Sequence, residues 1–264
     1  MRKINIYFAL PMILFLISII PAEVNMGVPA GVSDSGYPAT NTEIKIDASG
    51  TWKPYMVAYK IIKETVGMEN GKNFEVIIKD NKGVLADIKL WCESAGYVFL
   101  GSENKDENKL SLFVRKGDAK RDNHKMTVVI STANLEKVLL PFDKALSGAV
   151  MGMGVNVFFE GAGVRLLKKD YRSKLSGVIG GIFTGKVEGI MEKDIGWPAP
   201  KEAISILEDL GADFYVCGPS MVAYGVKEED IMVKKYAISA VITAAKLLAD
   251  SDIHIFSRAE FEKP

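Results

Sequence analysis

The sequence predicts an α/β protein in which a small βαβαββ two-layer sandwich is followed by a three-layer α/β domain with a mainly parallel sheet. Three observations predict this fold class. The chain has 264 residues, which is long enough for two ordinary domains. Short β-rich runs alternate with apolar residues at helical spacing along most of the chain. A polar, charged linker at residues 118–124 separates the first group of elements from the second.

The composition is that of a folded globular protein and excludes several function classes. The formal net charge is +0 and no run of Lys and Arg stands out, so no nucleic-acid partner is expected. No G-x-G-x-x-G motif begins a helix after the first strand of either segment, so no flavin or nicotinamide cofactor is expected. The cysteines and histidines form neither a disulfide framework nor a zinc motif, and we expect no metal; they are Cys92, Cys217, His124 and His254.

The amino terminus has the pattern of an export signal. Two basic residues precede an uncharged and almost wholly apolar run, so residues 1–22 predict a secretory signal peptide. Pro11 interrupts the run, whose length is marginal for a bilayer, and an uncleaved membrane anchor through residues 4–20 stays open. Either interpretation predicts an extracytoplasmic protein; the alternative is a buried helix of the fold. Residues 23–41 lack periodicity and predict a flexible linker.

The first globular segment, residues 42–117, predicts the order βαβαββ. Alternating apolar residues at 43–47 indicate the first strand. Pro54 suits the first position of a helix, and the apolar residues that follow it recur at helical spacing. The same signals predict the later elements, which are a strand at 74–79, a helix at 84–95 ended by Gly96, and strands at 97–101 and 109–116.

This first segment resembles a TusA-like (SirA-like) sulfur-carrier domain over nearly its whole length. That family carries a D-x-R-G-x-x-C-P-x-P motif at the start of the first helix, and the motif's cysteine carries sulfur as a persulfide. Asp47, Gly50 and Pro54 match the motif, but Ser49, Lys53 and Met56 stand in place of its arginine, cysteine and second proline. Lys53 cannot carry sulfane sulfur, and its charge is unfavourable at the positive end of a helix dipole. The resemblance therefore implies a degenerate carrier, which is a docking module, an anion site or a structural remnant.

Cys92 falls on the second predicted helix of this segment. Some TusA-like proteins have a second, helix-borne cysteine at this place. Cysteine is also a small apolar residue that is common in protein cores. We favour the core interpretation for Cys92.

The second globular segment, residues 125–257, predicts alternating strands and helices before a tail at 258–264. A long helix is predicted at 135–150, and Pro141 is expected to kink it or to start a second helix. The glycine-rich residues 170–200 predict a mobile loop or a broken helix. The other predicted elements are strands at 125–130, 155–159, 212–216 and 253–256, a short helix after residue 160, and helices at 201–210 and 237–249.

Cys217 directly follows one of these predicted strands. Strands that alternate with helices form a parallel sheet, and ligands and chemistry gather at the carboxyl ends of its strands. If Pro219 or Ser220 begins a helix, the N–H groups of its first turn point back at the sulfur and favour the thiolate. Position alone therefore makes Cys217 a candidate nucleophile, and equally a small residue buried at a strand end.

The second segment resembles the DsrE/DsrF-like family, and within it the branch of single-chain proteins that are labelled as peroxiredoxins. The resemblance lies in KALSGAVMGMGVNVFFEGAGVRLLKK and LGADFYVCGPSMVAYGVKEEDIM. The branch has a cysteine before a Ser-Met pair and a downstream glycine, here Cys217, Ser220, Met221 and Gly225. The family's functional cysteine thus maps onto Cys217. The branch also has an aromatic-rich stretch after the second strand, which residues 160–162 replace here by Glu-Gly-Ala.

The resemblance implies a sulfur carrier or sulfurtransferase. Cys217 would accept a sulfane sulfur, hold it as a persulfide and pass it to a partner thiol, with Gly218, Ser220 and Met221 around it as binding residues. The expected partners are sulfur donor and acceptor proteins and, through the DsrE-like domain, further copies of the chain. The alternative is a non-catalytic extracytoplasmic binding protein or oligomeric scaffold in which Cys217 is merely structural.

Overall fold

The computed structural model describes residue 42, residues 44–176 and residues 180–257, apart from the side chains of 180–183. These residues belong to one compact unit. The predicted signal peptide at 1–22, the linker at 23–41 and the tail at 258–264 lie outside the described residues. Export and anchoring therefore stay predictions. Within the described ranges, no helix combines the length and the apolar character that a bilayer crossing requires.

A four-stranded sheet with two helices forms the first domain, in the order that the sequence predicts. The strand order is β1-β2-β4-β3, in which β1 and β2 are parallel and the other pairs are antiparallel. Pro54 lies in the first turn of α1, and Gly96, at φ 86°, ends α2. The elements are β1 Ile44–Asp47, α1 Pro54–Glu64, β2 Asn73–Lys79, α2 Lys82–Ala95, β3 Val98–Asp106 and β4 Lys109–Arg115.

A five-stranded sheet forms the second domain, and all of its described strand pairs are parallel. Its strand order is β8-β7-β6-β5-β9. The strands are β5 Lys125–Ile130, β6 Gly154–Phe159, β7 Asp213–Cys217, β8 Tyr236–Ser239 and β9 Ile253–Phe256. The helices are α3 Leu135–Val150, α4 Gly180–Ile190, α5 Pro200–Asp209, α6 Gly218–Ala223 and α7 Val241–Ala249, with 3₁₀ turns at Gly161–Leu167 and Glu228–Asp230.

Helices cover both faces of the parallel sheet, which produces the three predicted layers. Helices α3 and α5 pack with Val128 and Val216 in the main core of the protein. Helix α7 covers the opposite face, where a small cluster is formed by Val129, Phe158 and Ala244. Consecutive strand residues point to opposite faces, so Val128 and Val129 belong to different layers. The carboxyl ends of all five strands meet at one edge.

The helix predicted at 237–249 is wrong at its beginning. Residues 237–239 belong to β8 and pair in register with residues 215–217 of β7, and α7 begins only at Val241. The apolar residues at 238, 241 and 242 fit a helical period as well as a strand end. Pairing with a strand more than twenty residues away decided between the two, which a local pattern cannot reveal.

The structure decides between alternatives at two further places in the second domain. Helix α3 continues through Pro141, so no second helix begins there. The loss of one backbone hydrogen bond at Pro141 is offset because much of α3 is buried in the core. The glycine-rich segment contains α4, which passes into a π-helical turn at Met191–Ile195 and ends at Gly196, φ 68°. The segment is thus helical over much of its described part.

Replacing Gly163 by alanine should destabilise the fold. The added Cβ would lie 2.0 Å from the carbonyl oxygen of Ile130, at the end of β5, and backbone cannot yield as a flexible side chain does. We expect the free energy of unfolding in urea to fall by about 1–3 kcal/mol. Gly189→Ala in α4 is the control, because its Cβ meets nothing within 4 Å. Equal losses in both variants would contradict the close approach.

Candidate functional site

Cys217 lies at the point where β7 passes directly into α6. It is the last residue of the strand and also the N-cap residue of the helix, with φ −69° and ψ 109°. Pro219 lies in the first turn of α6, where its lack of an N–H costs no helical hydrogen bond. Strand β7 lies between β6 and β8, so the thiol is held at the carboxyl edge of the sheet. The sequence predicts this position correctly, although the strand extends one residue further.

The Cys217 side chain is partly buried and borders an apolar cluster. It packs beside Tyr215, Leu247 and Leu248 on the sheet face that α7 covers. Its exposure is intermediate, whereas Cys92 is fully buried. Cys217 therefore contacts apolar groups but, unlike Cys92, is not fully buried.

The three residues predicted to bind around Cys217 hold α6 in place. A Cβ on Gly218 would lie 3.3 Å from Ile238 Cγ2, so the start of α6 lies close against β8. Ser220 Oγ accepts a hydrogen bond of 2.9 Å from Gly161 N, which joins α6 to the turn after β6. Met221 is buried in the main core. These contacts fix the direction in which the helix leaves Cys217.

Polar groups occupy the edge of the sheet around residue 160. The family branch that the second segment resembles has aromatic residues at this place. Glu160 Oε1 accepts a 2.9 Å hydrogen bond from Ser131 Oγ, and Ser257 Oγ accepts a 2.8 Å bond from Ser131 N. These bonds join the ends of β5, β6 and β9. The edge beside Cys217 is therefore polar and internally bonded.

Ser239 is a polar residue near Cys217 that sequence reasoning missed. It ends β8 and pairs in register with Cys217. Its hydroxyl oxygen is shielded from solvent and has no hydrogen-bond partner within the described part of the chain. The only signal available in the sequence, a serine at the end of a strand, was hidden because residues 237–239 fit a helical pattern.

Cys92 is a core residue, as we favoured from the sequence. Its side chain has 0% exposure on α2, among the apolar residues of the main core. Burial, with a smaller contribution from the negative charge of Glu93, raises the pKa of the Cys92 thiol to about 12. This thiol is protonated and inaccessible at neutral pH.

Lys53 joins the two domains. Its ammonium nitrogen lies 3.1 Å from Asp143 Oδ2 on α3 and 3.4 Å from the centre of the Trp197 ring. The hydroxyl of Tyr55 donates to the other oxygen of the same carboxylate. Burial, then the charge of Asp143, raises the pKa of Tyr55 far above its usual range. Lys53 is therefore enclosed at a contact between the two domains.

The loop before Lys53 makes further contacts with the second domain. Trp52 N donates to Ile195 O at 3.0 Å, and Thr51 Oγ1 donates to Gly196 O at 3.0 Å. Both acceptors lie at the end of the π-helical turn. A Cβ on Gly196 would lie 2.5 Å from Thr51 Oγ1, so this approach requires glycine.

Neither histidine lies in a catalytic arrangement. His124 Nδ1 lies 2.5 Å from Asp122 Oδ1 at an exposed site, and this hydrogen bond raises the pKa of His124. The ring of His254 contacts the carbonyl oxygens of Leu248 and Ser251. Across the residues that the structure describes, no three His, Cys, Asp or Glu side chains are grouped in a way that could hold a metal ion.

Comparison with known proteins identifies the second domain. The model of the DsrE/DsrF-like family matches residues 124–256, half of the chain. The YchN protein of E. coli has a crystal structure similar to this chain, at a TM-score of 0.38 and 9% identity over 51% of this chain and 99% of that one. A protein of unknown function from Methanobacterium thermoautotrophicum, MTH1491, has a TM-score of 0.36 and 16% identity over the same shares. No curated protein matches this chain.

The two thiols should differ sharply in reactivity. In the native protein at mildly alkaline pH, Ellman's reagent should modify one thiol rapidly, because Cys92 is buried and protonated. In denaturant, both thiols should react. Cys217→Ser should abolish the rapid reaction, and Cys92→Ala should leave it unchanged. Rapid modification of native Cys217→Ser would contradict the burial of Cys92.

The contact between Lys53 and Asp143 should stabilise the assembled domains. Lys53→Met and Asp143→Asn should each lower the free energy of unfolding by about 1.5–3 kcal/mol, because each leaves a partly buried polar group without its charged partner. The double variant should lose less than the sum of the two. Lys246→Met, in the exposed pair with Asp250, serves as the control and should change stability little. Strict additivity would show that the pair does not interact.

Proposed function

Because this chain belongs to the DsrE/DsrF-like family, which is generally linked to sulfur relay, we propose that it carries sulfane sulfur as a persulfide on Cys217. The observation that supports this most is the position of the thiol. It is half-buried at the carboxyl edge of the parallel sheet, at the first turn of a helix, while the other cysteine is enclosed in the core. This edge is where parallel sheets place their chemistry.

Sulfur transfer at Cys217 needs no external oxidant. The Cys217 thiolate attacks the outer sulfur of a donor persulfide, R–S–SH. A new S–S bond forms, the donor's S–S bond breaks, and the donor leaves as R–S⁻. An acceptor thiolate then attacks the outer sulfur on Cys217, takes it as R′–S–SH and returns the Cys217 thiolate. Each step exchanges one S–S bond for another.

The surroundings of Cys217 suit this exchange. Because Cys217 is not fully buried, we expect a donor or acceptor thiol to reach the sulfur from the carboxyl edge of the sheet. The apolar side, formed with Tyr215, Leu247 and Leu248, limits approach from the interior face.

We further propose that residues 42–117 are a TusA-like module that has exchanged sulfur transfer for docking. Its βαβαββ order and its matches at Asp47, Gly50 and Pro54 support this resemblance. Lys53, in place of the carrier cysteine, binds Asp143 of the second domain. The sulfur donor and acceptor are proposed to be other proteins, met outside the cytoplasm if residues 1–22 direct export.

An oligomeric scaffold is the second candidate function, and one observation favours it. Large apolar side chains are exposed on α6, β8 and α7, the elements around Cys217. Val222 is 85% exposed and Ile242 is 83% exposed, with Ile238 and Val241 also exposed. Large exposed apolar side chains are typical of surfaces that bind another protein.

Intact mass spectrometry after incubation with a low-molecular-weight persulfide tests the carrier function. The wild-type protein should gain one sulfur atom that dithiothreitol removes. Cys92→Ala should gain it equally, and Cys217→Ser should gain none, because only Cys217 is accessible. A wild-type protein that gains no sulfur would favour the scaffold. Equal labelling of Cys217→Ser would move the chemistry away from Cys217.

A further inference from the structure

Ser239 and Cys217 occupy matching places on neighbouring strands. They are paired in register at the ends of β8 and β7, which are parallel. Paired residues of parallel strands point to the same face, and neighbouring strands lie about 4.8 Å apart. Cys217 faces the α7 side of the sheet, since Val216 faces the main core. The Ser239 hydroxyl is therefore on the same face as the Cys217 sulfur and one strand away from it.

The Ser239 hydroxyl is unusual at this edge because it is buried and unbonded. The hydroxyls of Ser131, Ser220 and Ser257 each take part in a hydrogen bond, whereas Ser239 Oγ has no partner among the described residues. A buried hydroxyl without a partner costs about 1–3 kcal/mol, and native proteins contain few of them. The bare thiol of Cys217 is thus not its hydrogen-bond partner.

A persulfide would extend the acceptor beyond the thiol. The second sulfur lies about 2.0 Å from the first, the length of an S–S bond. When a persulfide ionises, the outer sulfur carries the charge and accepts hydrogen bonds. Helix α7 begins next to Ser239, and its N-cap residue, Ala240, has no capping side chain, so the N–H groups of the first turn also point toward this edge.

We infer that Ser239 donates a hydrogen bond to the outer sulfur of the persulfide on Cys217 and so holds it as an anion. This inference rests on the proposed function and identifies the group that distinguishes the loaded from the empty carrier. Ser239 forms and breaks no covalent bond. Its role begins when sulfur arrives, because the hydroxyl has no bond to the bare thiol.

Ser239→Ala and Ser239→Thr test this inference, since alanine removes the hydroxyl and threonine keeps it. Each protein is loaded with a low-molecular-weight persulfide, and the rate of its reaction with iodoacetamide is measured against pH by mass spectrometry. In Ser239→Ala, the midpoint of the loaded protein's pH–rate profile should rise by about one pH unit. This shift corresponds to a roughly tenfold weaker stabilisation of the persulfide anion. Ser239→Thr should keep the wild-type midpoint.

The unloaded proteins are the control, and all three should share one profile, because the bare thiol does not contact Ser239. Other titratable groups near the site are the same in every variant. They are Tyr215 in the adjoining cluster and Glu160 bonded to Ser131. Ser239→Ala should also unfold at the same urea concentration as the wild type or a higher one, since it loses an unbonded hydroxyl.

The possible failures are distinguishable. If the wild type takes up no sulfur, the proposed function and this inference both fall. If all variants load and the loaded midpoint is the same in Ser239→Ala, the inference falls and the carrier function stands. If the unloaded profile shifts as much as the loaded one, Ser239 supports the structure and does not bind the sulfane sulfur, which also overturns the inference.

Discussion

The site depends on one backbone constraint, the direct passage from β7 into α6 at Cys217. With no loop between strand and helix, the sulfur cannot move away from the edge of the sheet. Gly218 permits this passage because its neighbour Ile238 leaves little room for a side chain. Ser220 and Met221 then fix α6 against the turn after β6 and against the core. The position of one thiol is thus set by packing on both sides of it.

The same parallel register that fixes Cys217 also decides its neighbours. Alternation along β7 directs Val216 to the main core and Cys217 to the α7 face. Pairing with β8 brings Ser239 beside Cys217 on that face. A shift of one residue in the register would turn the hydroxyl to the other side of the sheet. The residues around the sulfur are therefore a property of the sheet rather than of any local motif.

Lys53 takes part in a structural contact between the two domains. A cation at the start of α1 is unfavourable toward the helix dipole. Asp143 and the face of Trp197 supply the compensating negative charge and π electrons from the second domain. Because the side chain is largely enclosed there, this position has little access to an external partner. The proposed sulfur chemistry therefore involves the second domain alone.

Sequence reasoning succeeded where local patterns are strong. The order of strands and helices, the end of α2 at Gly96 and the location of Cys217 between a strand and a helix all follow from periodicity and turn residues. It failed where distant contacts decide the outcome. Pro141 is tolerated because α3 is largely buried, and residues 237–239 form a strand because β7 pairs with them. The partner of Lys53 lies 90 residues away, beyond the reach of any local pattern.

A sulfur carrier must bind its cargo firmly enough to protect it and weakly enough to release it, and this requirement limits how strong the site can be. Several charged donors around the outer sulfur would hold the persulfide too tightly for an acceptor thiol to remove it. A single hydroxyl contributes about 1–3 kcal/mol, which corresponds to roughly a 5- to 150-fold preference for the loaded state. In the protein without sulfane sulfur, the unbonded Ser239 oxygen raises the free energy by a similar amount. Under the proposed function, the cost of leaving one hydroxyl without a partner thus favours loading while keeping the exchange reversible.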